Sequence, residues 1–186
     1  MSLSGSKFRV MLAAGVALVV LVAASTVALA AAGGAFRHRF AAPSGQCSAP
    51  DLPGTVINVT LTNMGGAMMR GGVGGMMRVL VDQGQVRAGT VSLRVANTGS
   101  LVHELVVLPL AEGQQVGDRA VGADGRVDET GSVGEASRTC GAGAGDGIDP
   151  GGLGWVTLHL APGSYELFCN LAGHYAAGMY TELKVS

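Results

Sequence analysis

Short stretches in which apolar and polar residues alternate recur from Thr55 onward, separated by turn-forming Gly, Pro and Asn, and this period of two predicts strands rather than helices. Residues 55–62 place Ile57, Val59 and Leu61 on one face, and residues 90–96 do the same with Val91, Leu93 and Val95. Residues 78–81 make a shorter strand. Residues 101–108 form a run of β-branched and aliphatic side chains closed by Pro109, which reads as a buried strand carrying His103. Residues 155–160 turn Val156, Leu158 and Leu160 inward and His159 outward. Residues 165–168 and a last strand with Tyr180, Leu183 and Val185 complete the set. Turns are signalled by Asn97-Thr98-Gly99-Ser100 and Ala161-Pro162-Gly163-Ser164. About seven short strands and no amphipathic helix predict an all-β domain, an antiparallel β-sandwich.

The rest of the chain breaks this pattern in three places. Residues 1–9 are basic and residues 10–32 carry no charge; as a helix those 23 residues would span roughly 35 Å, enough for a bilayer core. The length favours an uncleaved single-pass anchor, with a signal cleaved after Ala28-Leu29-Ala30 as the alternative; either one exports the remainder of the chain. Residues 33–54, with Pro43, Pro50 and Pro53, read as a linker to a domain over residues 55–186. Residues 64–77 hold five of the eight Met among glycines, either a Cu(I)-capturing arm or a flexible loop of gap-filling thioethers. Residues 111–154 form an insert too long for a mere connection. It holds Glu112, Asp118, Asp124, Asp128, Glu129, Glu135, Asp146 and Asp149 against Arg119, Arg126 and Arg138, a local charge of −5. An acidic face for a basic partner, a calcium site at Asp124/Asp128/Glu129 or Asp146/Asp149, and a plain soluble insert all fit that composition, although no twelve-residue calcium loop is present.

Composition changes this picture little: 31 Gly in 186 residues and 4% aromatics imply long loops around a small core, and a net charge of −1 provides no footprint for nucleic acid. Cysteine usage says more. There are three Cys, and if Cys169 holds a metal, Cys47 and Cys140 remain to form a disulfide in an oxidising compartment.

The chemistry is concentrated in Phe168-Cys169-Asn170-Leu171-Ala172-Gly173-His174-Tyr175-Ala176-Ala177-Gly178-Met179, where a thiolate, an imidazole and a thioether are spaced Cys-x4-His-x4-Met. His103 supplies a second imidazole, since His38 adjoins the apolar segment and His159 faces solvent. Two His and one Cys in a plane with a weak axial Met select copper, because the soft thiolate and thioether suit Cu(I) and the imidazoles suit both oxidation states. Zinc gives a Met no role. The predicted metal ligands are therefore His103, Cys169, His174 and Met179.

This loop, with Asn97-Thr98-Gly99 shortly before His103, resembles the copper-binding half of a cupredoxin of the sulfocyanin or plastocyanin-like type, over about residues 55–186. The resemblance implies a Greek-key sandwich, one type 1 copper, and transfer of single electrons between respiratory redox partners by transient contact, with no substrate transformed. It also implies residues that brace the site, Asn97 and, where the family often has Asn, Glu104. Ala172 stands where the family often has Pro. The family's electron port carries over as His174 ringed by Leu171, Ala172, Tyr175, Ala176 and Ala177. A copper-delivery protein outside the cytoplasm is the alternative reading. A copper oxidoreductase domain is the weaker third, since multicopper enzymes need more His than the four present.

Overall fold

A computed structural model of the chain describes residues 47–63 and 77–186. The apolar segment 10–32 read as an anchor or signal, most of the linker and residues 64–76 of the Met/Gly segment lie outside the described residues. Ten strands are described: β1 (Thr55–Asn63), β2 (Met77–Val81), β3 (Gln85–Val86), β4 (Gly89–Asn97), β5 (Leu105–Pro109), β6 (Gly134–Ala136), β7 (Gly141–Ala142), β8 (Leu153–Leu160), β9 (Gly163–Phe168) and β10 (Tyr180–Val185). They form two five-stranded sheets, β2-β1-β4-β8-β7 and β3-β10-β9-β5-β6. Among the described residues no helix is long and apolar enough to cross a membrane.

Ile57, Val59 and Leu61 of β1 and Val91, Leu93 and Val95 of β4 face Leu105, Val107, Leu167 and Leu183 of the other sheet in one core. Each such side chain, fully buried, contributes about 1.5–3 kcal/mol. The sandwich is as predicted, but its sheets are mixed rather than antiparallel. β1 runs parallel to β4, with Val59 opposite Val95, and β3/β10 and β7/β8 are also parallel. Alternation identifies the buried face of a strand and is unchanged when the strand is reversed, so it carries no direction.

Two predicted strands need correction in detail. The run 101–108 becomes a strand only at Leu105; residues 101–104 form a loop in which His103 makes a single bridge to Ile148. The cause is local: side chains of Asn97 and Asn63 occupy the polar groups of Gly99, Ser100 and Leu101 that a ladder would need. In β10, Leu183 and Val185 face the core, while Tyr180 points to the other face and packs against a second cluster.

That second cluster explains the insert. Val106 and Leu108 of β5 and Phe168 of β9 face away from the main core and are covered by Val127 and Tyr175. β5 is thus buried on both faces, as its unbroken apolar run requires. The insert also adds β6 to one sheet and β7 to the other, and Cys140 within it bonds Cys47 at a Cα–Cα distance of 5.5 Å, the predicted disulfide.

Candidate metal centre

The loop joining β9 to β10 is a series of tight turns. Gly173 and Gly178 take φ of 82° and 88°, and His174 N–H donates to Leu171 O, Ala177 N–H to Gly173 O and Met179 N–H to His174 O. Cys169 N–H donates to Met179 O at 3.0 Å, which closes the loop at its base. β9 pairs with β5, Phe168 opposite Val106, and so brings the segment just ahead of β5 alongside Cys169. His103, 71 residues from His174 in sequence, is brought there by this pairing.

Cys169 Sγ lies 3.3 Å from His174 Nδ1, and His103 Nδ1 lies 3.2 Å from His174 Nδ1. One donor atom from each of the three falls within 4.8 Å of the others, and among the described residues this is the group of His, Cys and acidic side chains that could hold a metal. The acidic positions considered for calcium form no such group; Asp124 and Asp128 instead accept bonds from neighbours two residues on. Bonds of about 2.0–2.1 Å to nitrogen and about 2.3 Å to sulfur would put adjacent donors roughly 3.2–3.8 Å apart around one ion. The separations of 3.2 and 3.3 Å fit donors around a single ion. Met179 is 0% exposed on the turn after His174.

Burial keeps these groups uncharged. It lowers the His103 imidazole to about 4, with His174 adding to the effect, and it lowers His174 as well. The same cause pushes the Cys169 thiol up to about 12, against hydrogen bonds from the Glu104 and Leu171 amides. Neutral imidazoles carry the lone pairs that a metal needs, and a metal would displace the thiol proton. Glu104 N–H donates to Cys169 Sγ at 3.4 Å, so this residue braces the sulfur through its backbone. Its carboxyl is buried with Oε1 lacking a hydrogen-bond partner, and burial, then Glu129 and Glu135, raise it to about 7. Asn97 Nδ2 donates to both Leu101 O and Ile148 O at 2.7 Å, and Ile148 in turn exchanges two backbone bonds with His103.

A family model, the sulfocyanin (SoxE) domain, matches residues 55–186. The chain belongs to the sulfocyanin family. Sulfocyanin domains are cupredoxins, and the donor set described above is that of one type 1 copper. Solved structures similar to this sulfocyanin domain include rusticyanin from Thiobacillus ferrooxidans, at 20% identity over 76% of this chain and 86% of that one with a TM-score of 0.43. Auracyanin from Roseiflexus castenholzii is similar at 21% identity over 73% and 98%, TM-score 0.43, and auracyanin A from Chloroflexus aurantiacus at 17% over 70% and 99%, TM-score 0.42. No curated protein sequence matches the chain.

Of the residues expected around the port, His174 is half-buried, Leu171 is half-buried against the core, and Ala172, Ala176 and Ala177 are exposed. Tyr175 departs from the expectation. It is 2% exposed and turned inward, its hydroxyl donating to Glu166 Oε1 at 2.8 Å while accepting from Arg119 N–H. The resemblance implies a place for it at the port rim, but the tight turn leaves Ala176 exposed and buries Tyr175.

Sequence reasoning also missed Asn170. This side chain, 2% exposed, accepts from Val127 N–H at 2.7 Å and donates to Val127 O at 2.9 Å, and also donates to Glu129 Oε1. Gly125 O accepts from Gly173 N–H at 2.9 Å. The insert is therefore fastened to the metal loop on both sides of Leu171. An Asn beside a ligand Cys was the available signal, but its partners lie over forty residues away in sequence.

Proposed function

We propose that the protein is an exported, membrane-tethered carrier of single electrons between respiratory redox partners, in which His103, Cys169, His174 and Met179 would hold one copper. The observation that carries this reading is the convergence of two imidazole nitrogens and one thiol sulfur within 4.8 Å. Bound copper supplies a one-electron couple there. The chain's contribution is rigidity: ligands held by sheet pairing, tight turns and a closed core do not rearrange when the charge changes. His174, half-exposed among Ala172, Ala176 and Ala177, is the port at which a partner would dock by a small, transient contact. The exposed Asp124 is next to Gly125, whose carbonyl is bonded to this loop, which supports a basic partner steered by charge. Burial of His103, Cys169 and Met179 at 0% exposure favours retention of copper over its delivery. Export and tethering rest on the uncharged 23-residue segment 10–32 and on the disulfide.

The test is the visible and electron paramagnetic resonance spectrum of the full chain loaded with Cu(II), beside Cys169→Ser. The expected outcome is an intense thiolate-to-copper band with narrow hyperfine splitting, absent from the variant. A pale tetragonal copper spectrum that the variant leaves unchanged would overturn the assignment.

A further inference from the structure

Asn63, the last residue of β1, is bonded to the loop that carries His103 by every polar atom of its side chain. Its Oδ1 accepts from Ser100 N–H at 2.9 Å and Leu101 N–H at 3.3 Å, and its Nδ2 donates to Ser100 Oγ at 2.9 Å. The same Oδ1 lies 3.0 Å from His103 Nε2. Backbone amides can only donate, so the atom facing them is the amide oxygen, and the contact with Nε2 must be made to a proton on the ring. A neutral imidazole has one such proton. His103 is therefore held as the Nε2–H tautomer, with the Nδ1 lone pair directed toward His174 Nδ1 and Cys169 Sγ.

From this we infer that Asn63 is a positioning residue of the copper centre, selecting the tautomer and ring orientation of His103 from the opposite sheet. The inference rests on the blue-copper reading above and deepens it. β1 and β5, the strand that the His103 loop enters, belong to different sheets, so this side chain also ties the two layers at the metal end of the sandwich. Gly99 is fitted to the arrangement: a Cβ there would collide with Asn63 Oδ1 and come within 2.9 Å of His103 Nε2. A purely structural staple would need only the bonds to Ser100 and Leu101. The bond to the imidazole adds control of the ligand.

The experiment is a long-range proton–nitrogen correlation spectrum of histidine-labelled, full-length, copper-free protein, for wild type, Asn63→Leu and Asn63→Asp, each then titrated with Cu(I) and also observed as Cu(II) in the visible. The wild type should show His103 protonated at Nε2 and protected from solvent exchange. In Asn63→Leu that proton should exchange faster by about tenfold, and Cu(I) affinity should fall by about 10–100-fold, as for other outer partners of metal-bound histidines. The Asn63→Asp variant keeps the accepting oxygen and should restore both. A wild-type His103 protonated at Nδ1, or an Asn63→Leu protein with unchanged exchange and affinity, overturns the inference while an intact blue band leaves the functional reading standing. Absence of that band in the wild type overturns both. Should Asn63→Leu fail to fold, the wild-type tautomer and exchange decide alone.

Discussion

Glu166 is a carboxylate with no exposed side-chain surface, placed on β9 three residues before Cys169. Arg119 Nε lies 2.5 Å from its Oε2, and Oε1 accepts from both Gly117 N–H at 2.7 Å and the Tyr175 hydroxyl at 2.8 Å. A buried ion pair adds little net stability, but removing one partner leaves a charge in the interior with nothing opposite it. Arg119→Ala is therefore expected to lower the unfolding free energy by about 3–5 kcal/mol. Tyr175→Phe, which removes one bond to a charged group, should cost about 1.5–3 kcal/mol. Urea unfolding of the three proteins measures both, with the slope unchanged and only the midpoint moving; equal midpoints would show that the network is not coupled to folding. At this scale the cluster of Cys169 with His103 and His174 was legible and the network was not. Cys169, His174 and Met179 announce themselves because their donor types are rare and their spacing is local. Glu166 and Tyr175 read as ordinary strand and rim residues because their partner Arg119 is 47 and 56 residues away from them in sequence.

The insert 111–154 is an element in its own right, fastened at Arg119 to Glu166, at Val127 to Asn170, at Gly125 to Gly173 and at Cys140 to Cys47. The disulfide spans a sequence separation of 93 and so restricts much of the unfolded chain. In the chain-entropy account a loop of that length contributes about 4–5 kcal/mol. Replacing both Cys47 and Cys140 with Ser should accordingly lower the thermal midpoint by roughly 10–15 °C. The thiolate-to-copper band at room temperature should survive, because Asn170 and Gly173 hold the metal loop through bonds that do not involve either cysteine. Calorimetry and a visible spectrum on the double variant check the two halves of this expectation; loss of the band in a folded variant would mean that the disulfide shapes the site directly. The pairing was legible by elimination among three cysteines. The covering role of the insert was legible only from the other side, in the unbroken apolar run of β5, which demanded a second buried face without saying what would supply it.

For the molecule as a whole, the candidate metal residues come from two loops that flank β5 and β9, and the pairing of those strands brings the loops together. Strand alternation was enough to predict two packed layers, yet β1 beside β4 in parallel was hidden because a period of two has no direction. Once formed, the site costs little to keep empty: His103 is lowered to about 4 and the Cys169 thiol is raised to about 12, so neither adds a buried charge near neutral pH. Apart from Cys169 and Met179, the core and the disulfide are built from residues other than the proposed copper ligands, unlike small zinc domains whose folding is the metal-binding step. The copper-free protein should therefore keep its sheet circular dichroism and unfold cooperatively. Copper, binding only the folded state, should then add stability by mass action, about 2.7 kcal/mol at free metal 100-fold above its dissociation constant and about 4.1 kcal/mol at 1,000-fold. Titrating Cu(I) under a competing chelator while following the thermal midpoint distinguishes the cases: a midpoint that climbs with the logarithm of free copper from a cooperative copper-free baseline is expected. A copper-free chain with no cooperative transition would mean that the metal, rather than the sandwich, organises the loop.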